Sequence, residues 1–230
     1  MADDIVDLRE RVLTELVEIH DYYNDSKVAW RIIHQLGKAG SSTRYTNLVT
    51  GTEMSLTDLA GKGRGYAQRV RAATFHQFVA IFENFLLDFL RSWLLAHPHR
   101  LGKRMVELDA ILNAADKNAV TMLVIDKEIG ELLYSRPSAW FKYLGEQVNL
   151  GCPTADEIEQ FVEMKATRDV LIHNRGVVNL AYVSKTGTRA RYGIGQTIDI
   201  PERYHREGWE LLRKIVADIS NAAIDRIASK

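Results

Sequence analysis

Apolar residues recur along most of this chain at steps of three and four, the period of a helix with one buried face. Ile5, Leu8, Val12, Leu16, Ile19 and Tyr23 form a first stripe, which can continue through Trp30, Ile33 and Leu36 before Gly37 and Gly40 stop it. From about Gly40 to Gly65 the chain is polar and glycine-rich, without a period, and reads as a long loop. The segment Gly61-Lys-Gly-Arg-Gly65 has neither the spacing nor the preceding strand of a phosphate-binding loop, and reads as flexible linker. A second helix is predicted from about Tyr66 to Ala96. Its apolar positions Phe75, Phe78, Val79, Phe82, Phe85, Leu86, Phe89 and Trp93 cover so wide a face that it should be the central helix, and Pro98 ends it.

Shorter stripes follow. Met105, Leu108, Ile111 and Leu112 mark one helix; Val120, Leu123, Val124, Ile129, Leu132 and Leu133 mark another, with a break expected near Asp126. Pro137 suits a helix first turn leading through Trp140, Phe141, Leu144 and Val148 to Gly151. Thr154-Ala-Asp-Glu157 is a capping box, in which the threonine oxygen and the glutamate each close an orphan backbone amide. The helix it opens carries Ile158, Phe161, Val162 and Val170 and stops at Gly176, where a left-handed cap is required. Val177 to Ile200 changes character and reads as an extended or hairpin-like excursion. Pro201 starts a final helix with Trp209, Leu212, Ile215, Val216, Ile219, Ala223 and Ile227 on one face. The four tryptophans fall on helical stripes and are expected in the core. The fold class is therefore all-α: a helical bundle, with one domain over residues 1–230, a loop at about 40–65 and a short extended excursion at about 177–200.

Composition agrees with a packed domain, since 46% of residues are apolar, 26% are charged, and only four are proline. The formal net charge is zero, so attraction to a polyanion has to come from a local patch. One cysteine, Cys152, makes an internal disulfide impossible and suits a reducing compartment. The first residues are acidic where a secretory signal is basic, and the most apolar stretch, Phe75 to Leu95, is interrupted by charge. The expectation is a cytoplasmic protein with no membrane span. No spacing of cysteine and histidine suggests a metal site, and no cofactor is expected.

An arginine followed after four to six residues by histidine occurs four times: Arg69 and Arg71 before His76, Arg91 before His97, and Arg168 before His173. His76 lies in the most apolar helix and reads as a core or interface residue; His97 sits at a helix end, where a cation favours the dipole. The last match differs. Arg168-Asp-Val-Leu-Ile-His173-Asn174 has a polar residue directly after the arginine, an asparagine after the histidine, and the last turns of a capped helix beneath it. Between Lys165 and Arg191 stand six basic residues (Lys165, Arg168, Arg175, Lys185, Arg189 and Arg191) against the single acid Asp169. Such an excess is what local binding of a polyanion needs, with a solvated basic face as the alternative. Asp3 to Asp21 is the opposite, with seven acids and two arginines.

This stretch resembles the HEPN superfamily, whose ribonuclease members carry arginine, then Asn, Asp or His, then a few residues, then histidine. The phrase His173-Asn-Arg-Gly-Val-Val-Asn179, Tyr182, the segment Gly195-Gln-Thr-Ile-Asp-Ile200 and the closing helix are similar to HEPN domains of the RiboL-PSP-HEPN or MAE-like type. The phenylalanine-rich helix with Glu83 is similar to the central helix of that bundle. The resemblance covers about residues 66–229 and is specific over 163–200. It implies a homodimer whose two motifs meet in one cleft, and metal-independent RNA cleavage by attack of the ribose 2′-hydroxyl, in a toxin or an effector of antiviral defence. It leaves room for a regulatory partner protein. His173 would act as general acid or base and Arg168 would stabilise charge on the phosphate; Asp169 and Asn174 would support them, and Lys165, Arg175, Lys185, Arg189 and Arg191 would contact RNA. On a regular helix Arg168 and His173 stand about 140° apart and about 7.5 Å along the axis, so one copy converges poorly on one phosphate. The alternative is a non-catalytic HEPN module that binds RNA or protein.

Overall fold

The computed structural model describes residues 1–229. Its elements run α1 (Ala2–Lys38), β1 (Arg44–Thr46), β2 (Glu53–Ser55), α2 (Leu56–Ala96), α3 (Leu108–Asn113), α4 (Lys117–Leu133), α5 (Pro137–Gln147), α6 (Ala155–His173), α7 (Leu180–Thr186) and α8 (Glu202–Ala228), with 3-10 turns at Pro98–Leu101 and Gly187–Arg189. The all-α bundle expected from periodicity is what forms. No helix among the described residues is long and apolar enough to cross a membrane.

Helix α2 is the axis. Phe75, Phe78, Phe82, Phe85 and Phe89 are each fully buried, and Trp93 and Leu94 continue the column. Around it pack Ile5, Leu8, Val12 and Leu16 of α1, Trp140, Phe141 and Leu144 of α5, Phe161, Met164 and Val170 of α6, and Leu212, Ile215, Val216 and Ile219 of α8. Phe82 is the junction, its ring 4.7 Å from that of Phe161 and within aromatic contact of Phe85 and Phe141. A smaller core of Leu94, Leu101, Ile125 and Ile129 fastens α4 to the far end of α2.

Helices α1 and α2 form one long antiparallel hairpin, about 56 Å and about 62 Å long from their residue counts. The expected loop at 40–65 is mostly absent: the chain turns through the two-stranded hairpin β1–β2, and α2 begins ten residues before Tyr66. Ser55 and Asp58 make a capping box at this start. The glycines that looked like linker lie inside α2. One of them lets the helices approach, since a β-carbon on Gly63 would stand 3.2 Å from the Trp30 ring; Gly37 of α1 does the same from the other side, where a β-carbon would stand 3.0 Å from the Leu56 carbonyl oxygen. Trp93 and Trp140 are core as expected, whereas Trp30 and Trp209 stay partly exposed.

Helix α4 runs unbroken past Asp126. The excursion at 177–200 is hairpin-like only at its ends, where Val177 and Thr197 form an antiparallel bridge and the Val178 amide donates to the Gln196 carbonyl. Between these ends the expected extended run coils into α7, because Asn179 caps it by accepting from the Tyr182 amide.

His205 of α8 is fully buried among Tyr23 of α1 and Phe78 of α2, with its Nε2 2.8 Å from Thr74 Oγ1. Burial, helped by His20, Arg71 and Lys27, pushes its titration down to about 3 from the ordinary 6.5. Between those values the unfolded chain binds a proton that the native chain does not, so this contribution is complete above pH 6.5 and is lost as pH falls toward 3. Thermal unfolding followed from pH 7 to pH 4 should show a falling melting temperature. His205→Gln should flatten that dependence by up to about 1.4 kcal/mol per pH unit. An identical slope in the variant would refute it.

Candidate active site at the end of the sixth helix

The capping box at Thr154 forms as read from sequence: Thr154 Oγ1 accepts from the Glu157 amide at 3.3 Å and the Thr154 amide donates to Glu157 Oε2 at 2.8 Å. It fixes the phase of α6 and thereby what the far end presents. At that end Arg175 and Gly176 both take left-handed backbone (φ 53° and 78°), and the Gly176 amide returns to the Val170 carbonyl at 3.0 Å. The Asn174 side chain donates to the Val177 carbonyl, so it braces this reversal. His173 is left exposed on the last turn.

Arg168 points elsewhere. Its guanidinium pairs with Glu83 of α2 and, at 3.1 Å, with Asp169, while its Nε is buried without a hydrogen bond. Lys165 also pairs with Glu83 and lies 5.3 Å from the Trp140 ring; Lys185 of α7 reaches Asp169 at 3.3 Å. The group is a mostly buried chain of alternating charge between α2, α6 and α7. The arginine that Glu83 pairs with is thus the motif's own.

A cleft of about 210 Å³ opens beside this chain, lined by Asp169, His173, Asn174, Asn179, Tyr182 and Lys185. His173 and Asp169 share it; Arg168 does not line it. A further residue enters that sequence reading had set aside. His76 of α2 stands close enough to Arg168, Glu83, Asp169 and His173 for each to influence its proton affinity. Burial lowers that affinity below the ordinary histidine value, and the Arg168 charge lowers it further. Its Nδ1 is buried with no partner among the described residues. The signal was available in the seven-residue step from His76 to Glu83, which places both on one stripe of α2 facing α6.

The six basic residues between Lys165 and Arg191 are not one patch. Arg189 pairs with Asp156 and Glu159 near the start of α6. Arg191 donates to Glu163 Oε1 at 3.0 Å and lies 3.4 Å from the Tyr204 ring centroid. Glu163, almost fully buried, also accepts from Thr167 and Tyr182 at 2.8 Å and from Tyr204 at 2.6 Å. Burial and the charge of Glu163 push the Tyr182 hydroxyl up to about 12, keeping it a donor. Of the six, Arg175 alone has no acidic partner among the described residues.

No family model, no curated protein and no solved structure matches the chain. What the site can do is thus argued from its own groups: a guanidinium held in place with His76 near it, and a cleft where His173 meets amide, carboxylate and ammonium groups. Among the described residues no three His, Cys, Asp or Glu side chains gather closely enough to hold a metal ion.

If Glu83 positions Arg168, the two are thermodynamically coupled. A double-mutant cycle with Glu83→Gln and Arg168→Gln, read by urea denaturation, should give a coupling energy of about 0.5–3 kcal/mol. Strictly additive effects would mean that the pair positions nothing.

Proposed function

We propose that this chain is a metal-independent endoribonuclease of the HEPN type, acting as a homodimer. The reading rests chiefly on one observation: the Arg168-Asp169…His173-Asn174 pattern occupies the end of α6, with His76 and Glu83 of α2 beside it. In the proposed reaction the ribose 2′-hydroxyl attacks the neighbouring phosphorus, the bond to the 5′-oxygen breaks, and a cyclic phosphate and a 5′-hydroxyl result. One imidazole accepts the 2′-hydroxyl proton and another delivers a proton to the leaving oxygen. His173, exposed at the cleft, and His76, whose proton affinity burial lowers, are the two imidazoles available for these parts. Arg168 stabilises the charge that builds on the phosphate oxygens.

A dimer is supported by what surrounds His173. Ile172, Val177, Leu180 and Ile194, in the segments flanking the motif, are exposed to 45%, 38%, 71% and 63%. An apolar surface of this kind is what a second copy would cover. The toxin or antiviral role that the resemblance implies is proposed together with this activity. A second reading has its own support: Arg168 is already satisfied by Glu83 and Asp169, as in a structural ion pair, which favours a non-catalytic module binding RNA or protein.

Incubation of the purified protein with total RNA should give cleavage that survives chelator. His173→Ala is expected to lower it about 10²–10⁴-fold and Arg168→Ala about 10²–10³-fold. His76→Ala should cost about 10²-fold, whereas His97, which stacks on Trp93 at the end of α2, should be replaceable without loss. Leu180→Asp should lower both the dimer mass in light scattering and the activity. Intact RNA with the wild-type dimer would move the assignment to the binding module, and equal loss with His97→Ala would sink the residue roles.

A further inference from the structure

A larger group of unpaired positive charge than the lone Arg175 at the motif stands elsewhere in this protein. It lies on the outer half of the α1–α2 hairpin, where Lys27 to Arg71 carries eight lysines and arginines against two acids. Both acids are committed, Glu53 to Arg44 at 3.6 Å and Asp58 to its capping box with Ser55. Lys27 pairs with Glu202 at 3.0 Å. Among the described residues Arg31, Lys38, Lys62, Arg64, Arg69 and Arg71 have no carboxylate within ion-pair distance, and all but Arg71 are exposed. This is the reverse of the region 165–191, where nearly every cation has an acid.

The charges are arranged about a groove. Positions 27, 30, 31 and 34 of α1 and 60, 63, 64 and 67 of α2 follow the one-three-four-seven steps of two facing helix stripes, and with Glu202 of α8, whose charge Lys27 neutralises, they line a cavity of about 280 Å³. Trp30 lies in it, partly exposed, tilted against Tyr66 with ring centroids 5.1 Å apart. Ala60, Gly63 and Ala67 are small enough to admit the indole; any side chain at Gly63 would meet it. Arg31, His34 and Arg64 rise at the edges. A flat aromatic floor with guanidinium groups on both sides is the arrangement that receives an unpaired base with its flanking phosphates. A duplex has its bases stacked inside and cannot use the floor. An acidic peptide could use the charges but offers nothing to stack.

We infer that the groove between α1 and α2, floored by Trp30 and edged by Arg31, His34 and Arg64, binds single-stranded nucleic acid. The site is separate from the proposed cleavage centre. Arg64 and His76 are twelve residues apart on α2, about 18 Å along the axis and about 120° around it, so the groove opens on another face. Binding here does not depend on whether the motif is catalytic.

The test uses full-length protein carrying His173→Ala, so that any RNA stays intact, and fluorescence anisotropy with a labelled twelve-nucleotide RNA. The same sequence as DNA, its RNA duplex, and polyglutamate of equal charge serve as comparison ligands. The single strands should bind more tightly than the duplex and polyglutamate, and the RNA and DNA arms decide whether the ribose matters. Arg31→Glu with Arg64→Glu, both exposed and safe for folding, should weaken binding at least about tenfold and reduce the slope of log affinity against log salt by about 1.4 for two lost phosphate contacts. Trp30→Ala, checked for helicity by circular dichroism, should weaken it roughly 5- to 150-fold without changing that slope. Lys142→Ala, an exposed cation on α5 that belongs to neither site, should leave affinity unchanged. Undiminished binding by the double arginine variant overturns the inference, as does polyglutamate binding as tightly as RNA. If Trp30→Ala misfolds, Trp30→Phe replaces it; RNA must then quench tryptophan fluorescence in the parent and not in that variant.

Discussion

Helix α2 must be buried along nearly all of its second half, and the position of every other long helix follows from that requirement. Five phenylalanines and a tryptophan at three- and four-residue steps leave it no solvent face between Thr74 and Leu94 wide enough for a surface helix. The elements α1, α5, α6 and α8 enclose it, and each presents its own apolar stripe inward. Polar groups on this stretch consequently have to be met by partners on the enclosing helices. Glu83 is the clearest case, since a half-buried carboxylate on the central helix draws in Lys165 and Arg168 of α6 and so sets where the motif stands. The first half of α2 carries no such column. It escapes the bundle with the end of α1, and its charges remain in water.

Charge counted along the sequence and charge counted in space disagree in an instructive way. The window from Lys165 to Arg191 holds five more bases than acids, yet Glu83, Asp156, Glu159 and Glu163 reach it from α2 and from the earlier turns of α6. Glu163 alone engages Arg191 and two tyrosines, joining α6, α7 and α8 through one buried carboxylate. The outer hairpin has the same kind of excess, but there the acids are few and already used.

Helix periodicity and capping chemistry were legible because both are local. The Thr154–Glu157 box, the central helix and the final helix needed only neighbours within a turn or two. The start of α2 was not legible, because three glycines in five residues signal a loop unless one knows that Trp30 packs against Gly63. Helix α7 was missed for a related reason: its Val-Asn-Leu-Ala-Tyr-Val sequence favours extension by composition, and what makes it helical is the Asn179 cap with Tyr182 drawn inward to Glu163. The Ser55–Asp58 box was readable but lay inside a stretch already read as loop. His76 reads from sequence as a core or interface residue and does stand partly buried at the α2–α6 interface; which residues face it there is set by the packing of α6, which the local sequence does not carry.

The reversal after α6 concentrates what remains unspent at the site. Left-handed backbone costs a residue with a side chain roughly 1–2 kcal/mol, and Gly176 meets that need freely while Arg175 does not. The conformation at Arg175 is nonetheless held from several directions: the Gly176 amide bonds to Val170, the Ile198 amide to the Gly176 carbonyl, and the Asn174 side chain to Val177. A glycine at 175 would relieve the strain without altering these bonds. That an arginine stands there, exposed, two residues from His173 and without an acidic partner among the described residues, places the one uncompensated cation of this region beside the exposed imidazole. Asn149 takes the same left-handed conformation at the end of α5, so the strain by itself marks a helix stop, and it is the uncompensated charge that distinguishes Arg175.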